Sequence, residues 1–230
     1  MKIKSGYISV VLSVGLSAAE AREVLITGEL PPYASASAPL AGLSGDIVTV
    51  LNSMGYDKIQ LSFQPWPRGL KNLELGNALA AFPFTWTAER GNVLTYSVPI
   101  TFDVQSWYTL HKNRHFEHGS WLGYSACIPK GWFSDAIDEV VKTQQLQVRV
   151  TNRLSQCVEL LKKGKVDLIS INDASQKTLS IADDNEFYRL SAYRQNVTFY
   201  LVSPKTPQGK AFIEQFNQAW IASPLALKWR

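Results

Sequence analysis

What most constrains this chain is an alternation of strand and helix signals that runs through once and then starts again. Residues 23–29 read as a first strand, with Val24, Leu25 and Ile26 apolar. After Leu30-Pro31-Pro32-Tyr33 and a Ser/Ala-rich loop, Ser44-Gly45-Asp46 opens a helix. Its apolar face carries Ile47, Val48, Leu51 and Met54, and Gly55 is placed to stop it. Residues 59–63 alternate as a strand, and Pro65-Trp66-Pro67-Arg68 starts a second helix with Pro67 in its first turn. Residues 79–84 form an apolar run that reads as a buried strand. Strands joined by single helices pair in parallel, so the predicted class is α/β.

Residues 94–99 and 104–111 are two further strand-like runs, and from Trp121 the alternation begins again. Residues 124–129 read as a strand, and Ser134 caps a helix carrying Ala136, Ile137, Val140 and Val141. Residues 146–150 are strand-like. Leu154, Cys157, Val158 and Leu161 mark a helix that Gly164 stops. Residues 166–171 form a strand ahead of Asn172-Asp173 and a short helix. Residues 197–202 form another strand, and residues 207–222 a closing helix with Phe212, Ile213, Phe216, Ala219 and Trp220 on one side. A chain of 230 residues holds one large domain or two small ones.

Phe82-Pro83-Phe84-Thr85-Trp86-Thr87-Ala88-Glu89-Arg90 joins a strand to a helix. Thr87 is a good N-cap. A helix start offers unpaired N–H groups and the positive end of a dipole. Thr87 adds a hydroxyl, and Arg90 adds a planar fork suited to a carboxylate. Phe82, Phe84 and Trp86 offer flat apolar walls. The stretch reads as a site for the acid group of a small organic ligand, or as an ordinary corner with Arg90 solvated. Tyr33, after the rigid Pro-Pro turn, reads as a ligand wall or as a side chain packed back on the core.

The apolar fraction of 46% and charged fraction of 18% are those of a folded globular protein. A net charge of +4 with no dense Lys/Arg stripe on any predicted helix argues against nucleic acid as a partner. Residues 1–21 read as a signal peptide. Lys2 and Lys4 supply its positive end, residues 7–16 an apolar stretch too short to span a bilayer, and Ala19-Glu20-Ala21 a cleavage site. Export is expected, with the mature chain starting near Arg22. No later segment is long enough to cross a membrane. The two cysteines, Cys127 and Cys157, suggest one disulfide between a strand and the helix covering it; two buried thiols are the alternative. His111, His115 and His118 read as part of a solvated loop rather than a metal site, and so do Asp183-Asp184 with Glu186 as a plain loop. No nucleophile elbow, phosphate loop, dinucleotide fingerprint or H-E-x-x-H motif is present. Neither metal nor cofactor is expected.

In order along the chain stand Pro32-Tyr33, Gly45-Asp46, Pro65-Trp66-x-Arg68, Gly76, Thr87-Ala88-Glu89-Arg90, Tyr96-Ser97-x-Pro99 and Gly164-Lys165-Val166-Asp167. By these residues nearly the whole mature chain resembles the periplasmic solute-binding proteins of family 3, the amino-acid-type receptors of ABC importers. The resemblance implies a two-lobed type II fold, with two parallel-sheet lobes joined by two crossing strands. Residues 22–107 and 196–230 would form the first lobe and residues 108–195 the second. Ligand would bind between the lobes and be trapped by their closure. By the same resemblance Thr87 and Arg90 hold the ligand's α-carboxylate, and Tyr33 forms an aromatic wall. The second-lobe acid that usually takes the α-amino group falls on Asn172, with Asp173 next to it. Asparagine lacks the charge that pairs with an ammonium. Trp86 and Trp132 would shape the pocket.

The expectation is a monomeric periplasmic binding protein, not an enzyme. It would capture a small polar carboxylate-bearing ligand, with an amino acid leading, for an inner-membrane ABC permease. One alternative is a periplasmic enzyme on the same scaffold, similar to the dehydratases of cyclic acids such as cyclohexadienyl dehydratase, with Asp173 or Glu29 as general acid. The other is a ligand-sensing subunit for a membrane signalling protein.

Overall fold

The computed structural model describes residues 23–132, 134–179 and 185–229. The expected signal peptide (1–21) and Asp183-Asp184 lie outside the described residues. The first half runs β1 (Val24–Thr27), α1 (Gly42–Ser53), β2 (Gln60–Phe63), α2 (Trp66–Glu74), β3 (Ala80–Phe84) and α3 (Ala88–Val93). A long strand, β4 (Leu94–Leu110), leads away from it. The second half repeats the order with β5 (Ser125–Pro129), α4 (Asp135–Thr143), β6 (Gln147–Thr151), α5 (Leu154–Lys162), β7 (Leu168–Asn172) and α6 (Asp173–Thr178). A second long strand, β8 (Phe187–Pro204), returns the chain to α7 (Pro207–Ala222) and a last 3-10 segment, Pro224–Trp229.

The eight strands of the described residues join in the order β2-β1-β3-β8-β4-β7-β5-β6. β1 lies parallel to β2 and β3, and β5 lies parallel to β6 and β7. Each half is thus the same three-strand parallel unit with its first strand in the middle. Between the halves β4 and β8 run antiparallel, paired from Leu94–Pro204 to Leu110–Phe187. At 17 and 18 residues they are about three times the usual strand length, which is what lets each belong to both halves.

Four expectations are corrected here. The runs at 94–99 and 104–111 are one strand, because register shifts at Tyr96/Pro99 and Gln105/Trp107 absorb the local breaks without ending the pairing. Likewise β8 begins at Phe187, well before residue 197. The first helix starts at Gly42 rather than at Ser44, whose hydroxyl donates to Pro39 O and Ala41 O. The histidine-bearing loop is a 3-10 helix, His111–Glu117, anchored by buried Phe116. Among the described residues no group of three potential metal-binding side chains occurs, and no helix is long and apolar enough to cross a membrane.

The first half packs Leu25, Ile47, Leu51 and Phe82 against Phe212 and Phe216 of α7. The second packs Trp107, Trp121, Ile128 and Leu168 on one face. On its other face Cys127 and Cys157 are joined in a disulfide, S–S 2.06 Å, tying β5 to α5. Thr87 and Ser134 cap α3 and α4 as their positions predict.

Candidate functional site

The carboxyl ends of β3 and β7, and the turn after β5, meet over the two crossing strands. They enclose a cavity of about 50 Å³. Pro83, Phe84, Thr85 and Arg90 come from the first half, Gly131, Trp132, Ser134 and Asn172 from the second, and Gln105 and Phe199 from the crossing strands. Arg90 lies back over the end of β3. Its Cζ is 5.6 Å from the Phe84 ring centroid, and Nη1 donates to Thr85 O at 3.1 Å and Thr85 Oγ1 at 3.0 Å. Burial pulls the guanidinium's pKa down, while the neighbouring Tyr96 and the carboxylates of Glu89, Asp135 and Asp138 push it back up. An arginine keeps its charge under such a shift. Tyr96 braces the same carbonyl, donating to Thr85 O at 3.3 Å, and burial pushes its phenol up to about 12.

The opposite wall is neutral. Asn172 is 3% exposed, and its Nδ2 has no hydrogen-bond partner among the described residues. Gln105 Nε2 donates to Ser170 Oγ at 2.8 Å, and Ser134 Oγ accepts from Ile137 N at 3.3 Å. Trp66 closes the gap between the halves. A Cβ at Gly28 would stand 2.4 Å from its indole, and one at Gly131 would stand 2.5 Å from its Cβ. Gly131 also has φ of +87°, so only glycine fits there without strain. Beyond Trp66 and Trp132, which both spaces share, opens a cleft of about 640 Å³. Phe63, Pro65 and Pro67 line it along with Glu29, Lys130 and Arg153.

Of the expected ligand residues, Arg90, Asn172 and Trp132 share the inner cavity wall; Thr87, Tyr33, Trp86 and Asp173 stand outside it. Thr87 Oγ1 accepts from Arg90 N at 3.2 Å, so its hydroxyl is engaged in capping α3. Tyr33 is 3% exposed, packs on Phe199 and Trp229, and donates to Asp103 Oδ2 at 2.7 Å. It is the core side chain of the two readings. Trp86 is half exposed. Asp173 accepts from Ser106 Oγ at 2.8 Å and pairs with Arg194 at 3.1 Å and Arg189 at 3.8 Å. Sequence reasoning missed Thr85, Trp66, Gln105 and Ser134 as wall residues. Gln105 did carry a signal, a polar side chain inside an apolar strand run. Trp66, between two prolines, reads in the sequence as a helix start and as part of the Pro65-Trp66-x-Arg68 motif, neither of which marks a cavity wall.

The halves also touch beside the cavity. Ser175 Oγ donates to Pro31 O at 2.8 Å, and Ala174 N donates to Asp103 Oδ1 at 3.4 Å. Burial raises the Asp103 carboxyl above the usual range, opposed by the bonds from Tyr33, Val104 and Ala174.

No protein-family model matches the sequence, and no curated protein does. Solved structures match over most of their length. The GluR0 ligand-binding core from Nostoc punctiforme, in complex with L-glutamate, superposes with a TM-score of 0.69 at 15% identity, covering 90% of this chain and 98% of its own. The arginine-, lysine-, histidine-binding protein ArtJ from Geobacillus stearothermophilus gives a TM-score of 0.72 at 13% identity, covering 90% and 94%. The substrate-binding protein of an amino acid ABC transporter gives 0.64 at 16%, covering 85% and 91%. This chain has the two-lobed type II periplasmic-binding-protein fold. Its lobes are the two parallel units, and β4 and β8 are the crossing strands that join them. In this type II fold the cavity sits where open α/β sheets place ligands, at the carboxyl ends of the strands.

Proposed function

We propose that this chain is an exported solute-binding protein that captures a small carboxylate-bearing ligand between its lobes and delivers it to an ABC importer. One observation carries the reading: a guanidinium, Arg90, is built into the wall of an inter-lobe cavity whose other sides are aromatic or neutral and polar. Such a wall suits one negative charge on a small organic molecule. The first lobe comprises residues 22–107 and 196–230 and the second residues 108–195, with closure trapping the ligand at Trp66 and Gly131. A signal peptide over residues 1–21 would deliver the chain to the periplasm, where it acts as a monomer on an inner-membrane permease. The similar structures, the GluR0 core solved with L-glutamate and the arginine-, lysine-, histidine-binding protein ArtJ, put amino acids first among the ligands to test; these share an α-carboxylate and an α-ammonium group, and Arg90 suits the carboxylate.

The acids that a dehydratase reading would use are both engaged. Glu29 accepts from Ser35 Oγ and Ala36 N, and Asp173 is paired with arginines. A membrane sensor would read the same closed form as a permease. The test is Arg90→Ala. After a thermal-shift screen of amino acids, polyamines and small carboxylates, calorimetry on the best ligand is expected to show at least about a 100-fold loss of affinity, the scale of removing one partner from a buried charge-assisted pair. Undiminished affinity would end the proposal.

A further inference from the structure

We infer that the preferred ligand carries a carboxylate but no ammonium group, with a hydroxyl or carbonyl oxygen where an amino acid has its nitrogen. The inference rests on the inter-lobe cavity being the ligand site. Among the described residues Arg90 is the only charged side chain in the inner cavity wall. An ammonium buried beside it would meet a like charge and, among the described residues, no carboxylate in that wall, and a buried charge without a counter-charge is strongly disfavoured. Among the described residues the carboxylates that come near are committed elsewhere, Glu29 of the outer cleft to Ser35 Oγ and Ala36 N. Asp173 holds Arg194 and Ser106, and Asp103 holds the Tyr33 hydroxyl with the Val104 and Ala174 amides. Asp135 and Asp138 act on the charge of Arg90 but stand outside the wall.

Asn172 points the same way. Its Nδ2 is a buried donor with no acceptor among the described residues, on a side chain of the cavity lining. A buried donor gains from an acceptor and nothing from another donor. A hydroxyl, a carbonyl or a carboxylate oxygen satisfies it, whereas an ammonium offers only further N–H groups. Turning the amide over would present its oxygen, a neutral acceptor that leaves the ammonium's charge unmatched. The inner cavity of about 50 Å³ holds only the polar head of such a molecule. The body extends past Trp66 and Trp132 into the outer cleft, whose Phe63, Pro65 and Pro67 suit an apolar or aromatic group.

The test uses the mature chain and matched ligand pairs titrated by calorimetry: lactate against alanine, 2-oxoglutarate against glutamate, and 3-phenyllactate against phenylalanine. In at least one pair the oxygen-bearing member is expected to bind at least tenfold more tightly, with that binding lost in Arg90→Ala. An amino acid that binds as tightly as its partner, still dependent on Arg90, would overturn the inference while leaving the carboxylate site standing. Finding no Arg90-dependent carboxylate in any pair would remove both. The donor is tested on the wild-type chain by comparing 3-phenyllactate with 3-phenylpropionate, where equal affinities would refute a role for Asn172. Asn172→Asp supplies the missing counter-charge and is expected to shift the preference toward the amino member by at least tenfold.

Discussion

In the first lobe β1 lies between β2 and β3 and is covered by α1 and α7; in the second β5 lies between β6 and β7 and is held to α5 by the Cys127–Cys157 bond. The topology is the same, but the means of holding it differ. α7 gives the first lobe Phe212, Ile213, Phe216 and Trp220, a block of apolar surface for which the second lobe has no equivalent helix among the described residues. The second lobe has a covalent cross-link where the first has that surface. The lobes also divide the cavity chemistry. The first brings the one charged side chain of the lining among the described residues together with Phe84 and Trp66, the second Trp132 and the neutral polar Ser134 and Asn172, so a ligand bound there would meet both lobes.

The widest gap between the lobes should appear in Phe216→Ala. It removes a fully buried ring from the first lobe and is expected to cost about 3–5 kcal/mol in urea unfolding. Hydrogen exchange should report the loss in β1, β3 and α7 first. Equal loss in β5 and β7 would mean that the lobes unfold as one unit. The converse experiment is reduction of the disulfide, or its replacement by Cys127→Ala with Cys157→Ala. Its 30-residue separation sets a contribution of about 3–4 kcal/mol on the chain-entropy model, and exchange should accelerate in β5, α5 and β7. Unchanged protection there would show that packing alone holds the second lobe.

Gly131→Ala sharpens the contrast at the seam. Its Cβ would meet Trp66 at a backbone of positive φ, so closure is expected to carry strain of about 1–3 kcal/mol. Affinity should fall about tenfold while the cores of both lobes keep their exchange protection. The smallest effect is expected at Asp103, which links Tyr33 of one lobe to Ala174 of the other. Burial holds its folded pKa above the unfolded one, so the protonated form favours folding. The stability it contributes is full below about pH 4 and is lost as pH rises through the folded value. Asp103→Asn is therefore expected to be slightly more stable than wild type at pH 7 and equal to it near pH 4. A less stable variant at pH 7 would show that the bonds to Tyr33 and the amides outweigh desolvation.

Much of the fold was legible locally. The two rounds of strand and helix, the caps at Thr87 and Ser134, and the stops at Gly55, Gly76 and Gly164 all follow from apolar spacing, capping chemistry and the positive φ that glycine tolerates. What escaped notice was continuity. Pro99 suggested an end to a strand that in fact runs from Leu94 to Leu110, because a register shift accommodates the missing donor. The site was legible in part. Arg90, Asn172 and Trp132 share the cavity wall, whereas Thr87 is engaged by its own helix and Tyr33 by the core.

By itself the sequence determined which segments are strands and helices and that the unit occurs twice, since those signals act over a few residues. It also set Arg90 in the first turn of α3, close after Thr85 and Phe84 that hold it. Only the tertiary structure decided what Arg90 faces. Asn172 lies in the other lobe, and the two come to one cavity because β4 and β8 fix how the lobes meet. Whether a hydroxyl or an amide is left for a ligand depends on which partners remain after packing, and that is settled by contacts between residues far apart in the chain.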